Sequence, residues 1–166
     1  RFKVLENKKS IWILSLNSTY ADDIARLTYE TFILKNITPK LVSFPNVIKK
    51  VKTKFKSREI RQKIIYKNPF KFLTIDKAQV KEIIIVAPSY LSILFILIFR
   101  ARFIKVISII HNHPNFKSDK NFLKHKIGKS IEIASIFLSN RIIFTAPHIK
   151  EKWENSIFFK LFNFSR

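Results

Sequence analysis

The chain alternates short apolar runs with longer stretches whose apolar residues recur every three or four positions. Ile11–Leu16 is six residues bounded by polar neighbours, the pattern of a strand buried on both faces. Thr19 and Asp22 then stand at capping-box spacing, and Asp22 and Asp23 complement a helix N-terminus. Ile24, Leu27, Thr31 and Leu34 repeat on one face, which predicts a helix to about Lys35. Pro39 closes that unit, and Lys40–Phe44 reads as a second strand. Further on, Lys81–Ala87 is a strand, Pro88 suits the first turn of a helix reaching about Arg102, and Phe103–Ile110 is a strand that ends at His111. The loop NHPNFKS follows, with Ser118 as a candidate N-cap. Leu123, Ile127, Ile131, Ala134 and Leu138 mark one long helical stripe that stops at Asn140. Arg141–Thr145 is a last short strand, and Pro147 begins a helix through Trp153 and Ile157.

Strands that alternate with helices, most of them uniformly apolar, imply a parallel sheet covered on both faces. The expected fold is doubly wound α/β, Rossmann-like, with five or six strands in an open sheet rather than a closed barrel. After a lead-in at 1–10, residues 11–166 form a single domain. Such sheets bind ligands outside the carboxyl ends of their strands, which singles out the loops at 17–20, 88–90 and 111–118. The segment 46–71 differs in kind and reads as a basic insertion. Eleven Lys or Arg and one acid, Glu59, fall between Lys40 and Lys71. Val47, Val51 and Phe55 recur at i, i+4, i+8, so part of the segment is a candidate basic amphipathic helix, and Phe70–Ile75 resembles a strand.

Composition narrows the function. With 166 residues, 47% hydrophobic and 26% charged, the chain is globular, neither disordered nor coiled coil. The absence of cysteine removes disulfides, cysteine zinc sites and thiol nucleophiles. One glycine leaves no room for a Walker loop, a G-x-G-x-x-G turn or a serine nucleophile elbow. A net charge of +21 implies an anionic partner, although an AT-rich genome would inflate lysine for unrelated reasons. Ile83–Phe99 carries no charge over 17 residues, but Pro88, Ser89 and Ser92 interrupt it, so a buried strand followed by a buried helix is expected over a membrane span. IWILSL is too short for a signal-peptide core. The chain opens at Arg1 without an initiator Met and ends in the apolar-basic run FFKLFNFSR, so it is expected to be a piece of a longer protein.

The sharpest candidate chemistry is VISIIHNHPN, where His111 and His113 flank Asn112 at a strand end. An H-x-H pair can hold a metal, but only His125 and His148 remain and acids are scarce, so no metal is expected. The other readings are a plain polar loop and a substrate-contact loop. Here KEIIIVAPSYLSILFILIFRARFIKVISIIHNHPN, then a long helix, then SNRIIFTAPHIKEKW, resembles the N-terminal, acceptor-side half of GT-B glycosyltransferases, closest to the retaining, family-four type. The likeness covers Lys81 to Trp153 well and Ile11 to Phe44 loosely. It departs at Asn17-Ser18-Thr19-Tyr20, where that family often has a glycine-rich turn.

The resemblance implies a sugar transfer from a nucleotide-diphosphate donor to a glycan or lipid-linked acceptor, with no separate cofactor. His111 would be the catalytic residue at the cleft. Asn112, His113, Asn17, Ser18, Ser89 and Thr145 would contact substrate. A missing C-terminal domain or partner subunit would supply most donor contacts, and the fragment alone would be inactive. For the basic segment, the readings are a solvated loop or attachment to an anionic bilayer through Lys49, Lys50, Lys52, Lys54, Phe55, Lys56 and Arg58. Tyr66, Phe70 and Phe72 would add aromatic contacts. That places the expected enzyme at the cytoplasmic face of the membrane. The alternative is a non-enzymatic basic module on nucleic acid or anionic lipid, with nucleic acid ranked below membrane.

Overall fold

The computed structural model describes residues 10–16, 21–63, 66–67, 80–112 and 122–156. The elements are β1 (Ser10–Ser15), α1 (Ala21–Leu34), β2 (Lys40–Val42), α2 (Pro45–Lys54), α3 (Arg58–Lys63), β3 (Tyr66–Lys67), β4 (Val80–Val86), α4 (Tyr90–Ala101), β5 (Lys105–Ile110), α5 (Phe122–Leu138), β6 (Arg141–Phe144) and α6 (Pro147–Glu154). The six strands form one sheet in the order β3-β2-β1-β4-β5-β6, and every pairing is parallel. The doubly wound α/β expectation therefore holds. The strand expected at Phe70–Ile75, like the residues 157 onward of the last helix, lies outside the described residues.

Alternation along each strand divides the core in two. Ile11, Ile13, Leu41, Ile84, Val86, Ile107 and Ile109 face Ala25 and Tyr29 of α1 and Val47 and Val51 of α2. Trp12, Leu14, Ile83, Ile85 and Val106 face Phe95, Ile96 and Phe99 of α4. A third cluster joins Ile110 to Ile136 of α5 and to Ile149 and Trp153 of α6. Apolar side chains on both faces explain why the central strands carry uninterrupted runs.

The basic segment is part of this frame. Pro45 starts α2, and Val47, Ile48 and Val51 are buried. Phe55, expected at a membrane face, is instead 1% exposed and sits edge-on against Tyr29, with ring centroids 5.6 Å apart. The i, i+4, i+8 stripe was real, but the sheet rather than a bilayer takes it. Among the described residues no helix is long and apolar enough to cross a membrane, and α4 has 12 residues.

Scarcity of glycine shows at helix ends. Asn36 after α1 and Phe103 after α4 hold positive φ, 56° and 57°. Each closes a Schellman-type turn, in which Ile37 N bonds Phe32 O and Ile104 N bonds Phe99 O, both at 2.9 Å. Asparagine tolerates that conformation, whereas phenylalanine pays a steric cost that glycine avoids. Phe103 is 80% exposed. Phe103→Gly is expected to raise the unfolding free energy by about 1 kcal/mol. Urea denaturation checks this, and a loss of stability would show that the ring packs better than its exposure implies.

Candidate functional site

The strand order reverses between β1 and β4, since β1 leads outward to β2 and β4 leads the other way to β5. In open parallel sheets ligands bind outside the carboxyl ends of the strands, at such a reversal. Three strand ends meet that edge here.

At the end of β1, Ser15 is fully buried, and its Oγ has no hydrogen-bond partner among the described residues. Its carbonyl accepts from the hydroxyl of buried Ser43, which ties the end of β2 to β1. In register beside Ser15 lies Val86 of β4, and beside Val86 lies Ile109 of β5. Beyond Val86 the chain turns through Ala87 at φ 50°, an uncommon conformation for a residue with a Cβ. Pro88 follows, and Ser89 is the N-cap of α4. Ser89 N donates to Ser92 Oγ at 2.9 Å, while the Ser89 side chain accepts from the N3 backbone.

At the end of β5, Asn112 is a three-way junction. Its Nδ2 donates to Glu132 Oε1 of α5 at 2.7 Å, and its carbonyl accepts from Trp153 Nε1 of α6 at 2.7 Å. Burial pushes the Glu132 carboxyl up to about 7, against the opposing pull of the Asn112 hydrogen bond. One residue earlier, His111 has a buried Nδ1 with no hydrogen-bond partner among the described residues, and burial lowers its pKa from the ordinary imidazole value. Strand alternation continues Ile107 and Ile109 into His111, and Ile11 and Ile13 into Ser15, both on the face covered by α1.

The expected site residues therefore divide. His111 and Ser89 lie at the carboxyl edge, as placed from the sequence. Asn112 is there too, but its side chain and carbonyl are committed to α5 and α6. Thr145 is exposed beyond the end of edge strand β6, its N donating to Ile110 O at 3.1 Å. Asn17, Ser18 and His113 lie outside the described residues. Of the expected membrane contacts, Lys49, Lys50, Lys54, Lys56 and Arg58 are exposed and Lys52 is half-buried, whereas Phe55 is in the core. Lys54 Nζ pairs with Asp23 at 2.9 Å. Among the described residues no three His, Cys, Asp or Glu gather as a metal site would require.

Sequence reasoning missed Ser15 and Glu132. Glu132 left a readable trace, a lone carboxylate between Ile131 and Ile133 on an apolar stripe. Ser15 left only a hydroxyl near the end of an otherwise apolar strand.

No protein-family profile matches the sequence, and no curated protein does. Solved structures do match in fold. "Structure of MT0777" superposes with a TM-score of 0.59 at 10% identity, over 95% of this chain and 100% of that one. The phenylacrylic acid decarboxylase from Aquifex aeolicus gives 0.53 at 12%, over 93% and 95%. AnUbiX (PadA1), solved with FMN and dimethylallyl pyrophosphate, gives 0.53 at 8%, over 95% and 94%. A dodecameric FMN-dependent UbiX-like decarboxylase from Escherichia coli O157:H7 gives 0.54 at 8%, over 94% and 95%.

These neighbours overturn the resemblance to a GT-B glycosyltransferase half. With it go the nucleotide-sugar donor, the glycan or lipid-linked acceptor, the membrane partner and the expectation of no cofactor. The alternative of a basic module on nucleic acid or lipid gains no support either. The physical reason is that β4-α4-β5-α5-β6 spacing, with polar residues at strand ends, is dictated by right-handed crossovers in any parallel sheet. What this chain is similar to, over nearly its whole length, is the open parallel α/β fold of the UbiX-like decarboxylases.

Proposed function

We propose that this chain binds flavin mononucleotide in the crevice between β1 and β4 and belongs to a flavin-using enzyme. The observation that carries the reading is the reversal of strand order between those two strands, in a fold that matches one neighbour solved with FMN over 95% of this chain and one FMN-dependent neighbour over 94%.

The residues at the crevice fit such a group. Two buried polar atoms there, Ser15 Oγ and His111 Nδ1, have no protein partner among the described residues, and buried polar atoms seldom lack one. The start of α4 contributes backbone N–H groups and the positive end of a 12-residue helix, which favour a phosphate. Ala87 replaces the glycine usual at such turns, but its small side chain and positive φ still let the backbone approach a ligand.

When bound, a flavin supplies a ring that accepts and returns electrons; the chain supplies orientation and proton handling. Ser15, Ser89 and His111 would hold the group. Asn112 ties the end of β5 to α5 and α6, next to His111. Glu132, poised near neutral pH, can hold or release a proton at its carboxyl oxygens close to that loop.

Titrating the purified chain into FMN and following flavin fluorescence tests the reading. Saturable one-to-one binding with a micromolar or tighter Kd is expected. Fluorescence that never saturates at protein concentrations well above that range would overturn it.

A further inference from the structure

Among the described residues, the buried side-chain atoms without a hydrogen-bond partner include Ser15 Oγ, His111 Nδ1 and Ser135 Oγ. Ser135 lies near the end of α5 that leads into β6, away from the carboxyl edge. The other two share that edge and the same face of the sheet. The register sets Ser15 level with Ile109, two strands away, and His111 lies one pleat repeat beyond Ile109. Strand geometry then separates them by about 10 Å across the sheet and ~7 Å along it. They are too far apart to bond each other or to share a small ion, and within reach of one extended ligand.

We propose that His111 is a ligand-positioning residue whose Nδ1 hydrogen-bonds the heterocycle edge of the bound mononucleotide, with Ser15 Oγ as a second contact on the other side of β4. The proposal rests on the flavin reading above. Burial keeps the imidazole neutral, so it offers one donor and one acceptor, which suits an uncharged ring edge better than a phosphate. A positively charged histidine would have pointed to the phosphate end instead. Asn112, pinned by Glu132 and Trp153, holds the backbone next to His111 and limits its freedom.

The test compares FMN and riboflavin binding by the intact chain and by His111→Ala, His111→Asn and Ser15→Ala, with Lys150→Ala, an exposed residue of α6, as control. His111→Ala and Ser15→Ala are each expected to weaken binding about tenfold, the usual effect of one lost hydrogen bond in a buried site. His111→Asn, which keeps a polar atom near the Nδ1 position, should recover part of the loss. The factor for His111→Ala should be the same for riboflavin and FMN, because the contact is to the ring. In the intact chain, the His111 Nδ1 nitrogen resonance should move when FMN is added.

Unchanged affinity in His111→Ala and Ser15→Ala, with an unmoved resonance, would overturn the proposal and leave the flavin reading standing. A loss confined to FMN would overturn the ring assignment. Failure of the intact chain to bind FMN would overturn both. If His111→Ala loses its helical circular dichroism, His111→Asn and the nitrogen resonance decide the matter.

Discussion

Replacing Trp153 by alanine is expected to lower the unfolding free energy by about 3–5 kcal/mol, the range for large aromatic truncations in a core. Trp153 is fully buried and closes the cluster of Ile110, Ile136 and Ile149 that unites β5, α5 and α6. Truncation removes that packing and also strips Asn112 O of its indole donor. Trp153→Phe separates the two effects. It keeps most of the apolar volume and leaves the carbonyl unpaired, at a cost of about 1–3 kcal/mol. Urea denaturation followed by far-ultraviolet circular dichroism measures both. A loss below about 1 kcal/mol for the alanine variant would mean that α6 repacks and is not the anchor described here.

The second large effect is a change in the pH dependence of stability. In the folded chain the Glu132 carboxyl titrates at about 7, against an ordinary value of 4.5. Between those values the folded state holds a proton that the unfolded state has released. Stability from this group is therefore complete below pH 4.5 and is lost as pH rises through 7, by on the order of 3 kcal/mol in all. Glu132→Gln keeps an oxygen to accept from Asn112 and carries no titrating proton. Its stability should fall less between pH 5 and 8, and at pH 8 it should exceed that of the parent. Burial of His111 works in the opposite sense, because its depressed pKa adds stability as pH rises. The difference between parent and variant at each pH cancels that contribution. Parallel pH profiles for the two would show that Glu132 ionises normally in the folded chain.

Much of the architecture was legible because it depends on local pattern. The runs at Ile11–Leu16, Lys81–Ala87 and Arg141–Thr145 fall within a residue or so of β1, β4 and β6, and Pro88 sits just ahead of α4. Apolar runs of that length have few other places to go. Where destination rather than pattern was at stake, the sequence was ambiguous. Val47, Val51 and Phe55 form the same stripe whether a bilayer or a sheet covers it, and the lysines around them made the bilayer attractive. Only the approach of α2 to Tyr29 of α1 decides. Strand β3 is two residues inside the most basic stretch and is recognised by its pairing with β2.

The site was legible in the same uneven way. His111 stands out in the sequence because a polar residue at the end of a buried strand is conspicuous. Asn112 stands beside it, but its commitment to Glu132 and Trp153 depends on residues 20 and 41 positions away. Ser15 and Glu132 acquire their character from burial alone, which no spacing rule reports. The family resemblance misled because it rested on the one feature that all doubly wound sheets share.

Ala87 carries a consequence for how this chain can be improved. A residue with a Cβ at φ 50° holds roughly 1 kcal/mol of steric cost in the turn between β4 and α4. Glycine would relieve that cost in the folded state but, unlike at exposed Phe103, would delete a methyl group buried in the core and add freedom to the unfolded chain. Stability engineering aimed at this turn therefore has little to gain. The same freedom would loosen the backbone that carries Ser89 toward the crevice. A position that looks like a defect on a conformational map is in this sense a source of rigidity. Selection for tighter ligand binding would keep the alanine, whereas selection for thermal resistance would act elsewhere.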